Sequence, residues 1–282
     1  MKKLLSCFSV LLAALFLLTG TQPASAEEAE PGVDWVNNVI VAKGEGAPPA
    51  NAVSAAQGRM MARRAAVVDA YRQLAETING VHVESGSSVQ DYILQSDLTR
   101  TNVDAVIKGA RVIKEWKEED GGYAVLMEVP IFGVSKSLSS AIMPKPSTPP
   151  IAFPAPTAPP VTQVEVTVNT PSGQGGYTGV IVDCKGLGLN PVMSPVIKNA
   201  AGNKIYGHEN LDYDLVIRDG MVSYANDRSQ AGRAGSNPIV VRAESLSDHN
   251  ANPVISVNDA NLILTENNSS GFLSKTAVVF MY

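Results

Sequence analysis

The sequence predicts an α+β protein: a two-layer N-terminal domain with one long helix on a small antiparallel sheet, then a proline-rich segment and a mostly β C-terminal domain. Three observations lead there. Ala56, Met60, Val67, Tyr71, Leu74 and Ile78 recur at three, four and seven residues, the stripe of an amphipathic helix. Two alternating runs, residues 110–117 and 123–129, flank the turn-rich Glu118-Glu119-Asp120-Gly121-Gly122, a pattern suited to a β-hairpin. Residues 144–160, PKPSTPPIAFPAPTAPP, hold eight of the 18 prolines, a density that excludes a helix or a central strand.

The N-terminus comes first. Lys2 and Lys3 precede an apolar run over residues 4–18, and Ala24-Ser25-Ala26 is a small-residue cleavage signature, so residues 1–26 read as a secretory signal peptide cut before Glu27. The run is short of the roughly 20 residues that a membrane span needs. No later stretch approaches that length, so the mature chain is expected to lack a transmembrane segment. Cys7 sits inside the apolar core and is followed by Phe8, without the small-residue context of a lipidation site.

The first domain is expected over residues 33–143. Residues 38–43 form a short β-like run, broken by Gly44-Glu45-Gly46-Ala47-Pro48-Pro49. Asn51 or Ser54 then caps the long helix, and Asn79-Gly80 ends it. Arg59, Arg63, Asp69, Arg72 and Glu76 fall on its other faces; Arg63 and Arg64 read as a solvated face ahead of an anion site. Residues 81–84 read as a strand edge, and Val89, Ile93 and Leu98 suggest a second helical stretch before the hairpin closes the domain.

Residues 144–160 read as a polyproline spacer that would hold two domains about 50 Å apart at ~3.1 Å per residue. A loop folded back on one domain is the alternative. Beyond it, residues 161–282 are expected to be mostly β. The strand-like runs are 161–168, 180–182, 215–217, 239–243 and 277–281, with one or two helical turns at 259–264.

Composition narrows the function classes. The full chain carries a net charge of −5; removing Lys2 and Lys3 leaves 20 basic against 27 acidic residues, or −7. Without a basic cluster, nucleic-acid binding is not expected. With Cys7 removed, Cys184 has no partner for an intrachain disulfide. An exported chain of this size without disulfides points to a bacterial protein with enough residues to build cores instead.

Cys184 ends a strand-like run and enters a glycine-rich turn; His208 and His249, with Asp212, Asp248 and Asn250, could supply a base and its orienter for a cysteine-dependent hydrolase. No local signature of such an enzyme is present, and the flanking Val182 and Leu187 favour a packed thiol. Lys185-Gly186-Leu187-Gly188 lacks the frame of a phosphate loop, so Gly186 and Gly188 read as a tight bend. Asp212, Asp214 and Asp219 miss calcium-loop spacing at Val216. Asp227-Arg228 and residues 233–238 read as a polar loop able to bind an anion or a partner, or as a plain connection, and His82 as structural. Tyr177, Tyr206, Tyr213 and Tyr224 could offer stacking surface to a small ligand or glycan. The sequence assigns no catalytic, cofactor-binding or metal residue.

A resemblance adds to this. GEGAPP, MARRAAVVDAYRQLAETINGVHVES, VIKGARVIKEW and DGGYAVLMEVPIFG, in that order, resemble the LPP-twenty lipoprotein family over roughly residues 35–137. Related domains occur in flagellar outer-membrane-ring and basal-disk proteins. The resemblance implies a cell-envelope protein of the periplasm or envelope, without enzymatic activity and with an assembly role. Its expected partners are envelope proteins, with self-association as an alternative. The chain departs from the family in lacking a lipidation motif, and the second half is unassigned. A small-ligand, glycan or cation-binding role for the C-terminal domain is the alternative function, and a hydrolase built on Cys184 the third.

Overall fold

β1 (Gly32–Asp34) leads into β2 (Val39–Gly46) through a turn at Asn38, whose φ is +57°. In that turn the Asp34 carboxylate accepts the amides of Val36 and Asn37. The computed structural model describes residues 29–157 and 176–282; the expected signal peptide and the expected strand at 161–168 lie outside the described residues.

Helix α1 (Ala55–Asn79) begins where the Ser54 hydroxyl accepts the Gln57 amide, and it stops at Gly80. It buries Gly58, Ala62, Ala66, Ala70, Leu74 and Ile78, every fourth residue. This corrects the expected stripe: Leu74 and Ile78 are core residues, whereas Met60 is 70% exposed and Ala56 is exposed. The cause lies on the neighbouring strand. A Cβ on Gly44 would stand 2.1 Å from the Ala66 carbonyl oxygen, and one on Gly46 would stand 2.2 Å from that of Ala62. A helix this close to a strand can turn only its smallest side chains towards it. Packing distance, more than hydrophobicity, therefore chooses the buried face.

β3 (His82–Glu84) and β4 (Ser87–Ser88) form a small antiparallel pair. The expected second helical stretch is two helices, α2 (Val89–Gln95) and α3 (Asp97–Lys108). Ser96 breaks them: it is extended, and its hydroxyl accepts the Thr99 amide to cap α3. Leu98 is exposed and Val103 and Val106 are buried instead. The hairpin forms as expected from β5 (Arg111–Lys117) and β6 (Tyr123–Pro130). The first sheet is antiparallel in the order β1-β2-β6-β5, with α1 laid on β2 and β6. β5 is an edge strand; its charged side chains and the bulge between Val112 and Lys114 discourage pairing with another chain. A short helix, α4 (Leu138–Ile142), follows.

The second half is built on two sheets. β7 (Gly179–Asp183), β10 (Ser223–Ala225), β11 (Pro238–Arg242) and β14 (Val278–Met281) make a parallel sheet in the order β10-β14-β7-β11. β8 (Ile197–Asn199), β9 (Lys204–Tyr206), β12 (Ser245–Ser247) and β13 (Asn252–Ile255) make a mixed sheet in the order β12-β13-β8-β9. Residues 215–217, expected as a strand, lie in helix α5 (Tyr213–Asp219). A short apolar run fits either state, and the Asp212 carboxylate decides it by capping the Leu215 amide at 3.0 Å. The turns expected at 259–264 extend into α6 (Val257–Ser270), capped by Ser256 and stopped by left-handed Gly271.

The two halves share one hydrophobic core, which runs from Leu74 and Met127 through Trp35 and Tyr224 to Val180 and Phe280. Backbone bonds cross between them: the Met193 and Ser194 amides donate to the carbonyls of His82 and Val83, and Gly133 donates to Ile217. The Ser139 hydroxyl adds a buried bond to the same Ile217 oxygen at 2.8 Å. Residues 144–157 are accordingly a strap folded back on the second half, not an extended spacer. The Ile151 amide donates to Glu209, Phe153 stacks on Tyr206 at 6.2 Å, and Thr157 and Asn261 exchange bonds at 2.8 and 2.7 Å. Prolines keep the strap extended, while Ile151 and Phe153 give it apolar anchors.

Two outcomes follow. Leu74→Ala should lose about 2–5 kcal/mol, whereas Met60→Ala should stay within about 0.5 kcal/mol, both read by chemical denaturation. Thermal unfolding of residues 27–282 should show one transition; two well-separated transitions would contradict a shared core.

Candidate functional site

The seam between the halves opens into a cleft of about 250 Å³. Its apolar lining comes from Val83, Met143, Leu211 and Val216, and its polar groups are Glu84, Tyr92, Lys145, Ser194, His208 and Tyr213. These come from five places: the end of β3, helix α2, the start of the strap, the loop between β7 and β8 that carries Ser194, and α5 with the segment leading into it. Helix α2 is aimed at the cleft by its start, where Asp91 accepts both the amide and the hydroxyl of Ser88. That turns Tyr92 back towards β3, and its hydroxyl donates to Glu84 at 3.0 Å.

Burial pushes the Tyr92 phenol up to about 12, with the Glu84 carboxylate adding to the shift. Burial likewise raises Tyr213, assisted by Asp214. Both phenols therefore stay protonated at neutral pH and act as donors, Tyr92 to Glu84 and Tyr213 to the Met143 carbonyl at 3.0 Å. The Lys145 ammonium lies 5.9 Å from the Tyr213 ring centre. An apolar floor with an ammonium and an imidazole on the wall, and the Glu84 carboxylate held by Tyr92, suits a small apolar group whose negative end lies towards Lys145.

Of the residues singled out in the sequence, the cleft takes His208 and Tyr213. Cys184 is buried elsewhere, and its sulfur lies 3.8 Å from the Val182 carbonyl oxygen. Burial, aided by Asp183, pushes its thiol up to about 12, so it stays protonated rather than forming a nucleophilic thiolate. After it, Leu187 donates back to the Cys184 carbonyl, and Gly186 and Gly188 hold φ of +78° and +74°, the tight bend expected. Asp248, His249 and Asn250 form a run of three left-handed residues. Asp248 holds that turn by accepting from Lys198, Ser247 and Asn252, which depresses its carboxyl to about 2, with the Lys198 hydrogen bond the largest cause.

Three of the remaining acids are occupied locally. Asp212 caps α5, Asp219 pairs with Arg218, and Asp227 accepts from Ser229. Among the described residues no group of three or more His, Cys, Asp or Glu side chains is placed to hold a metal ion. Tyr206 and Tyr224 are buried; their hydroxyls donate to Met221 and Val192, so they offer no stacking surface, unlike the half-buried Tyr177 and Tyr213. His82 is exposed at the seam and contributes its carbonyl there.

Arg233, in the loop considered for anion binding, has another task. Its guanidinium donates to the carbonyls of Asp219 and Gly220 and to the hydroxyls of Ser223 and Thr276, tying α5 to the end of β14's approach. Burial lowers its pKa. Glu84, Tyr92 and Lys145 were not singled out by sequence reasoning. The Ser88–Asp91 capping pair was the available signal that the chain doubles back there.

The thiol makes a direct check. Cys184 should resist alkylation by iodoacetamide at pH 8 in the folded protein and react once denaturant unfolds it. Rapid labelling of the native protein would contradict its burial.

The comparisons with known proteins match two separate stretches of the chain, one on each side of the strap. The model of the LPP20 lipoprotein family matches residues 47–130, which contain α1 and the hairpin. The model of the second domain of Treponema pallidum Tp0624 matches residues 179–282, which contain both sheets of the second half. No curated protein matches the chain. Residues 47–130 thus match the LPP20 lipoprotein domain that the residues of the first half suggested, and residues 179–282 are similar to the second domain of Tp0624.

Proposed function

We propose that this is an exported bacterial cell-envelope protein with a structural, non-enzymatic role, acting through contacts with other envelope proteins. The observation that carries this is the LPP20 lipoprotein match over residues 47–130. The expected signal peptide at residues 1–26 supports export. The shared core supports a role as one rigid body, because sealing the halves together fixes how their outer surfaces are presented. The protected Cys184 thiol fits a packing residue better than a nucleophile.

Envelope fractionation followed by crosslinking in intact cells tests the reading. The protein should fractionate with the envelope and give discrete crosslinked species. Recovery in the cytosol, or as an uncrosslinked monomer at every reagent length, would overturn it.

The seam cleft favours a second reading, in which the protein binds a small apolar anion. A ligand that binds only the folded state raises the melting temperature. Thermal-shift screening with short-chain fatty acids should then give a rise that Lys145→Ala removes, and no rise with any of them would dismiss this reading.

A further inference from the structure

Helix α1 meets the sheet on one side only. Opposite Ala62 and Ala66, at 3.6 residues per turn, stand Met60, Arg64 and Val68, with Met61 beside them. Met60 is 70% exposed, Val68 67% and Met61 43%, and Val53, just ahead of the Ser54 cap, is 88% exposed. Three large apolar side chains along one helix edge are more than scattered surface residues.

The charge of this ridge opposes that of the protein. The chain is acidic overall, at −5, yet residues 55–68 hold Arg59, Arg63 and Arg64 and no acid. They lie in the half of the helix nearest its N-terminus, where the dipole favours negative charge, and the first turn carries none. Arg63 is bound to Glu115 at 2.8 Å. Arg59 and Arg64 are in no ion pair among the described residues and are exposed. The surface is thus apolar and cationic together, and it asks for an occupant that is apolar and anionic together.

Shape separates the occupants. The ridge is convex, a single helix standing on a sheet, and offers no groove to receive side chains from an acidic protein. A bilayer surface accepts a convex ridge: apolar tips enter the headgroup–acyl boundary while long cationic side chains reach the phosphates. We propose that this ridge docks the protein on an anionic phospholipid surface, with Met60, Met61 and Val68 entering the boundary and Arg59 and Arg64 engaging lipid phosphates. The excess acid elsewhere on the chain orients the molecule, turning the ridge towards the membrane and the rest away. This goes beyond the envelope role and rests on different residues from the seam cleft.

Vesicle flotation tests it, using residues 27–282, which contain the whole compact unit Pro31–Tyr282. The probes are vesicles of phosphatidylglycerol with phosphatidylethanolamine, and neutral vesicles of phosphatidylcholine. Binding should appear on the anionic vesicles only and weaken as salt rises above about 0.1 M, where the screening length falls below about 10 Å. Each arginine near an anionic surface contributes about fivefold, so Arg59→Glu with Arg64→Glu should reduce partitioning by at least about twentyfold. Met60→Ser with Met61→Ser should also reduce it several-fold. All four side chains are exposed, so circular dichroism and the melting temperature should stay as in the parent and separate lost docking from lost folding. No binding to anionic vesicles, equal binding to neutral ones, or binding untouched by both pairs of substitutions would overturn the proposal. Retention of an acidic protein on the ridge without vesicle binding would overturn it as well.

Discussion

The close approach of α1 to β2 is the constraint on which the rest of the structure depends. Gly44 and Gly46 present bare backbone, and Ala62, Ala66 and Ala70 descend onto it; an added Cβ on Gly44 would stand 2.3 Å from the Ala70 amide nitrogen. Glycine in a strand weakens it locally, by roughly 0.5–1 kcal/mol relative to alanine. Here that loss is offset because the helix can sink onto the sheet and bring Leu74 and Ile78 into full burial against Met127 and Val129. The same seating decides which face points outwards, and so puts Met60, Arg64 and Val68 on the surface. Core and docking ridge are two sides of one geometric choice.

The seam extends this logic to the second half. Trp35, just past β1, meets Tyr224 edge-on at 5.5 Å, and Tyr224 in turn packs against Phe280 and Tyr282. With its hydroxyl satisfied by Val192, Tyr224 can sit fully inside without an orphaned polar group. Ser139 and Gly133 converge on the Ile217 carbonyl. The seam cleft exists because these contacts hold β3, α2, the strap and α5 at fixed distances, leaving a gap that Tyr92 and Tyr213 only partly fill.

Much of this was legible in the sequence, and the failures have physical causes. The hairpin could be read because alternation and a glycine-rich turn are both local. The existence of α1 could be read as well, and with it the core side of its second half at Val67, Tyr71, Leu74 and Ile78, but the buried face of its first half could not. Hydrophobic periodicity favours Met60 over Ala62, and only the glycines across the gap make small size the criterion. The run at 215–217 is too short for periodicity to decide, and the deciding Asp212 cap is a side-chain event. The proline-rich segment reads as a spacer on composition. Its role as a strap depends on Ile151, Phe153 and Thr157 finding partners at Glu209, Tyr206 and Asn261, and no local pattern reveals such contacts. Cys184 was legible as a packed thiol because valine and leucine flank it. The cleft was not, since Glu84, Tyr92, Lys145 and His208 come together only through the tertiary fold.

The most direct test of the account is the unfolding free energy of Gly44→Ala and Gly46→Ala, measured by denaturant titration beside Gly86→Ala. A Cβ on Gly86 meets nothing within 4 Å, and its φ is not left-handed, so alanine there should be neutral or stabilising by up to about 1 kcal/mol. At Gly44 and Gly46 the sign should reverse, because a Cβ meets helix backbone that cannot move aside; each substitution should lose about 1–3 kcal/mol or more. If alanine at 44 and 46 is as well tolerated as at 86, α1 does not rest on bare backbone, and both the buried alanine face and the outward ridge are wrongly placed.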